Sequence, residues 1–124
     1  SILTLFMKYD VELESVRYSR CVLLAIEYIK SHLSLQLGIA ELAANAFVSE
    51  STLAKKFKAE VGMTIGCYID ETILFEAEQL LTKTELSVLE ISERFGFCDQ
   101  FYFSRRFKAK YGETPQRYRK MKPI

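Results

Sequence analysis

The sequence predicts an all-α protein: two helix-turn-helix subdomains joined by a long linker helix, seven helices in total. Three observations carry that prediction. Gly and Pro are scarce, at five and two of 124 residues, and both prolines (Pro115 and Pro123) lie near the C-terminus, so nothing upstream forbids helix. Apolar residues recur three and four apart along the chain. Lys55-Lys56-Phe57-Lys58-Ala59-Glu60-Val61-Gly62-Met63-Thr64 also aligns with Arg105-Arg106-Phe107-Lys108-Ala109-Lys110-Tyr111-Gly112-Glu113-Thr114 at a shift of fifty. Two copies fit duplicated units rather than a solenoid, which needs three or more.

Residues 1–16 stand outside the repeat and begin on Ser. They are expected to be a tail, or the end of a missing upstream regulatory or dimerisation domain. Residues 17–63 form the first subdomain. Within it, 18–33 read as an amphipathic helix with Val22, Ile26, Ile29 and Leu33 inward, and 34–38 as a connector. Ile39, Leu42, Ala43 and Ala46 mark the next helix, followed by a turn at Phe47-Val48. Ser49 can cap a third helix by accepting a free backbone N–H, and Gly62 can end it in a left-handed conformation. Residues 64–82 are the linker helix, with Ile65, Ile69, Ile73, Ala77 and Leu80 on one stripe. Residues 83–124 repeat the plan. Val88, Ile91 and Phe95 make the stripe, Gly96-Phe97-Cys98 the turn, and Asp99 caps a helix that stops at Gly112. Upstream of the turns the repeat shift falls to forty-nine (Glu41-Leu42 against Glu90-Ile91), so the second turn is one residue longer. Pro115 opens a last helix carrying Arg117, Arg119 and Lys120.

Composition excludes several classes. Apolar residues are 49% and the formal net charge is only +1, which is incompatible with a disordered chain. No apolar run is long enough to span a bilayer, and no membrane partner is expected. Cys21, Cys67 and Cys98 are odd in number and widely spaced, and His32 is the sole histidine, so neither a zinc site nor a disulfide framework is expected. Reduced thiols in a cytoplasmic protein are the simpler reading. Nothing assembles a nucleophile, a base and an anion hole, so no enzyme and no cofactor are expected.

The small net charge hides an asymmetry. Residues 1–48 hold four Lys/Arg and five Asp/Glu, residues 49–82 three and six, and residues 83–124 ten and five. The last third is a basic patch of the kind nucleic acids bind. In each subdomain the second helix has two faces. Leu53 and Phe57, or Phe103 and Phe107, point inward. Ser51, Ala54, Lys55 and Lys58 lie opposite, matched in the second copy by Phe101, Ser104, Arg105 and Lys108. Short polar and cationic side chains on an exposed helix fit a major groove. Phe101 leaves two alternatives: contact with a thymine methyl or a sugar, or a place in the core. A nineteen-residue linker helix spans roughly 28 Å, which can hold two such helices near the ~34 Å repeat of major grooves on one DNA face.

Ile91-Ser92-Glu93-Arg94-Phe95-Gly96-Phe97-Cys98-Asp99-Gln100-Phe101-Tyr102-Phe103-Ser104-Arg105-Arg106-Phe107-Lys108, followed by Gly112-Glu113-Thr114-Pro115 and Tyr118-Arg119, resembles the signature of the AraC/XylS family of bacterial transcription regulators. Residues 39–82 resemble that family's first helix-turn-helix and linker helix. The resemblance implies a homeodomain-like arrangement with two recognition helices in adjacent major grooves of double-stranded promoter or operator DNA. It also implies contact with RNA polymerase, an activator role, and often a separate effector-binding or dimerisation domain. Carried over by position, Glu50, Ser51, Ala54 and Lys55 of the first recognition helix, and Gln100, Phe101, Ser104 and Arg105 of the second, would face bases. Thr52, Lys56, Lys58, Arg106, Lys108, Thr114 and Gln116 would face phosphates.

Two departures from the family pattern stand out. The linker helix, usually rich in Arg, carries Asp70, Glu71, Glu76 and Glu78 here, which is expected to turn it away from DNA or toward a protein partner. Ser51 and Ala54 are short, so the second subdomain is expected to supply most of the affinity. The alternative reading is a helical protein-interaction module with the same fold and little DNA binding.

Overall fold

The computed structural model describes residues 18–122, and the expectations for residues 1–16 lie outside them. Among the described residues there are seven helices and no strands: α1 (Arg20–Ser31), α2 (Ile39–Asn45), α3 (Glu50–Val61), α4 (Ile65–Lys83), α5 (Val88–Arg94), α6 (Gln100–Tyr111) and α7 (Pro115–Met121). They divide into two compact units. One comprises described residues up to His32 together with Leu37–Tyr68; the other comprises Leu33–Gln36 and the chain from Ile69 on.

The first unit packs α1, α2 and α3 around Val22, Ala25, Ile26, Ile29, Leu42, Ala43, Leu53 and Phe57, all buried. Leu33, expected inward, lies past the end of α1 and is half-buried. Glu60, near the end of α3, accepts both the backbone N–H and the hydroxyl of Ser19, at 2.6 and 2.9 Å. That pins the start of α1, where Ser19 makes no side-chain cap of its own. Phe57 meets the Tyr68 ring edge-on at 5.4 Å.

The second unit is built on an aromatic chain. Phe97, Phe103 and Phe107 contact one another in sequence, and Phe107 also meets Tyr111 and Tyr118, with centroids 4.6 to 5.9 Å apart. Such offset and edge contacts suit the ring quadrupoles. From α4 come Ile69, Ile73, Leu74, Ala77 and Leu81. The expected stripe ended on Leu80, which is only half-buried, whereas Leu81 is fully buried. Arg119 of α7 closes the far end. Its guanidinium donates to the carbonyls of Leu81, Thr84 and Leu86 at 2.8, 3.3 and 2.5 Å, satisfying acceptors at the end of α4 and in the connection that follows it. This side chain, read from the sequence together with Arg117 and Lys120 of the last helix, is therefore committed to the fold.

Candidate nucleic-acid interface

The second helix of each helix-turn-helix, α3 and α6, starts and stops by the same chemistry, fifty residues apart. Ser49 accepts from the Thr52 N–H at 3.1 Å, and Asp99 accepts from the Tyr102 N–H at 2.7 Å. At the other ends Gly62 and Gly112 adopt φ of 92° and 86°, and their N–H groups reach Lys58 and Lys108 carbonyls. The preceding turns also match, at the shift of forty-nine. Phe47 and Val48 donate to the carbonyls of Ala44 and Ala43; Gly96 and Phe97 donate to those of Glu93 and Ser92. This paired pattern is a Schellman cap, which requires a left-handed residue after the helix. Gly96 supplies it with φ 80°, and Phe47 supplies it with φ 59°.

The outer faces follow from these anchors. On α3, Leu53 and Phe57 are fully buried, which leaves Glu50, Ser51, Ala54, Lys55, Lys56 and Lys58 exposed and Thr52 half-buried beside its cap. On α6, Phe103 and Phe107 are fully buried. Phe101, Arg105 and Lys108 are exposed, and Gln100 and Ser104 half-exposed. Phe101 retains 67% of its surface, so the core alternative is excluded. The Arg105 guanidinium carbon lies 5.8 Å from the Tyr102 ring centre. Thr114, expected near phosphate, caps α7 by accepting from the Arg117 N–H, and Gln116 is exposed in its first turn.

Arg106 stands apart from the other expected phosphate contacts. Its guanidinium donates to Asp70 at 2.8 Å and to the Tyr102 hydroxyl at 3.0 Å. The Asp70 hydrogen bond, with a lesser contribution from Tyr102, holds Arg106 even more firmly protonated than usual. Lys110 of α6 pairs with Glu71 of α4, and the Tyr118 hydroxyl donates to Glu78 at 3.1 Å. The acidic side of α4, expected to turn away from DNA or toward a protein partner, has partners within its own unit. Asp70 and Glu71 meet cations of α6, and Glu78 meets α7, within one unit. Arg106, which the resemblance assigns to phosphate, is the α6 member of the first of these pairs. Sequence reasoning missed these pairs because they join residues 36, 39 and 40 positions apart, beyond any local spacing rule.

The comparisons with known proteins agree with this geometry. A family profile described as a helix-turn-helix domain matches residues 42–121. The xylose operon regulatory protein of Escherichia coli K12 is 38% identical over 98 residues, covering 79% of this chain and 25% of that protein. The chain belongs to the AraC/XylS family. Among solved structures, the C-terminal domain of AraT, a response regulator from Geobacillus stearothermophilus, superposes with a TM-score of 0.81 at 34% identity, covering 87% of this chain and 90% of that one. The DNA-binding domain of AdpA, solved in complex with a target DNA, gives a TM-score of 0.76 at 25% identity, covering 83% and 93%. AraC/XylS proteins are transcription regulators, and the all-α, two-motif fold is theirs. The chain spans about a quarter of the length of the xylose regulator it matches. Among the described residues no helix is long and apolar enough to cross a membrane.

Proposed function

We propose that this chain is the DNA-reading part of a transcription regulator, placing α3 and α6 in adjacent major grooves of promoter or operator DNA. The observation that carries the reading is the duplication of one exposed helical face, with cap, turn and stop repeated, on two separate hydrophobic units. In this reading Arg105 and Lys55 donate to guanine O6 and N7, and Gln100 pairs with adenine. Glu50, Ser51, Ala54 and Ser104 line the same surfaces. Thr52, Lys56, Lys58, Lys108, Thr114 and Gln116 hold the backbone, the last through its side chain and its N–H in the first turn of α7. Arg106 acts one step back, fixing α6 against α4. A contact with RNA polymerase, an activating role and an upstream effector-binding or dimerising domain complete the proposal, by analogy with the longer relatives.

Support also comes from the pairing of Asp70 and Glu71. The acidic helix that favoured a protein-interaction module is in part neutralised internally. The deciding experiment is selection of bound sequences from random duplex DNA, followed by a salt titration at the selected site. A DNA reader yields a recurrent site and an affinity that falls linearly on a log–log plot against salt. Absence of binding even at low salt would favour the interaction module.

A further inference from the structure

We infer that Phe101 reads a thymine 5-methyl group, so that α6 specifies a thymine one or two base steps from the base taken by Arg105. This rests on the proposed DNA reading and adds the chemistry of one base to it. Phe101 is the second residue of a twelve-residue helix and keeps 67% of its surface, although Phe103 and Phe107 on the same helix are fully buried. The ring is therefore not needed to fill the core, and in water it leaves apolar area uncovered at a cost. Its surroundings define what can cover it. Gln100 precedes it, and Arg105 and Lys108 follow on the same exposed face. An apolar protein partner would have to strip water from both cations to reach the ring. A duplex leaves those cations near phosphates and base acceptors while meeting the ring with a carbon group.

The major groove offers one such group, the C5-methyl of thymine. Sugars lie toward the margins of the groove. Phe101 shares a stripe with Arg105, the longest donor of the face, and sits at the end of the helix that approaches base edges in helix-turn-helix docking. Residues four apart on a helix have Cβ atoms roughly 5–6 Å apart, and stacked base pairs are ~3.4 Å apart. The two side chains thus address positions one or two steps from each other. The first unit has Ser51 in the equivalent place, so the thymine requirement belongs to the second unit alone.

The experiment uses the whole chain and the duplex obtained by selection. Each thymine of the part of the site covered by α6 is replaced in turn by deoxyuridine, which deletes the methyl and leaves every hydrogen-bonding group. One position should weaken binding about fourfold, equivalent to ~0.8 kcal/mol for one buried carbon group. Phe101→Ala should bind the thymine and deoxyuridine duplexes equally at that position, and Phe101→Leu should restore part of the difference. The inference is overturned if no methyl matters, or if the methyl effect persists in Phe101→Ala, while binding keeps its salt dependence. Loss of all DNA binding by the native chain would overturn the DNA reading itself, and this inference with it.

Discussion

Phe47 and Gly96 occupy the same place in two copies of one turn, and only glycine is at ease there. A side chain in the left-handed region costs roughly 1–2 kcal/mol, and Phe47 recovers none of it by burial, since 90% of its surface is exposed. Glycine at position 47 would relieve the strain but add freedom to the unfolded chain worth about 0.4–1 kcal/mol. Phe47→Gly should therefore stabilise the protein by about 0.5–1 kcal/mol, measured by urea unfolding; a loss of stability would mean that the ring makes favourable contacts. Arg105 and Lys55 carry a second residue-scale prediction. Arg105 presents a planar fork of donors, Lys55 a single flexible ammonium on a face shared with the short Ser51 and Ala54. Arg105→Ala should cost about 1–3 kcal/mol at the selected site, and Lys55→Ala less, read from binding isotherms. Equal losses would overturn the ranking of the two units.

At the scale of elements, the caps and stripes were legible because they are local. Ser49, Asp99, Gly62 and Gly112 sit at fixed offsets from the residues they serve, and the repeat shows them twice. What was not legible was the traffic between elements. Arg106 looks like a phosphate contact in a run of cations, yet its neighbour in space is Asp70 of α4, with both side chains about a third exposed (34% and 35%). Phe101 was legible as an anomaly, but only the packing of Phe103 and Phe107 decides that it lies outside. The ion pair gives a test by contrast. Lys108→Ala should reduce the slope of log affinity against log salt by about one phosphate contact. Arg106→Ala should leave the slope nearly unchanged and lower stability by no more than about 1 kcal/mol, as suits a partly screened pair. Equal changes of slope would return Arg106 to the phosphate backbone.

For the whole molecule, the basic last third and the dense aromatic core of the second unit are the same stretch of sequence, so its stability and its charge are linked through pH. Burial, with nearby Glu78, Tyr118 and Glu71, pushes the Tyr111 hydroxyl up to about 12. An unfolded tyrosine loses its proton near its ordinary value of 10.0. Below that pH both states hold the proton and the contribution of the shift is fully present. As pH rises from about 10 toward 12 the unfolded state ionises first and stability is lost. Tyr111→Phe should therefore flatten the decline of melting temperature across that window, even if it lowers stability at neutral pH through loss of the 3.4 Å hydrogen bond to the Leu74 carbonyl. An unchanged alkaline limb would sink the assignment.

The chain's route through its two units carries a further consequence. Leu33–Gln36, which follow α1, belong to the second unit rather than the first. There the Leu35 N–H donates to the Phe95 carbonyl and the Gln36 amide to the Gly96 carbonyl. The amide fills the space that a Cβ at position 96 would need. The halves are thus interleaved in sequence although each has its own core. A chimera that swaps second halves between relatives at a junction near residue 64 inherits a turn shaped for a tetrapeptide left behind in the other parent. Recombination in this fold must exchange two segments together, or bring the strap with the turn it closes.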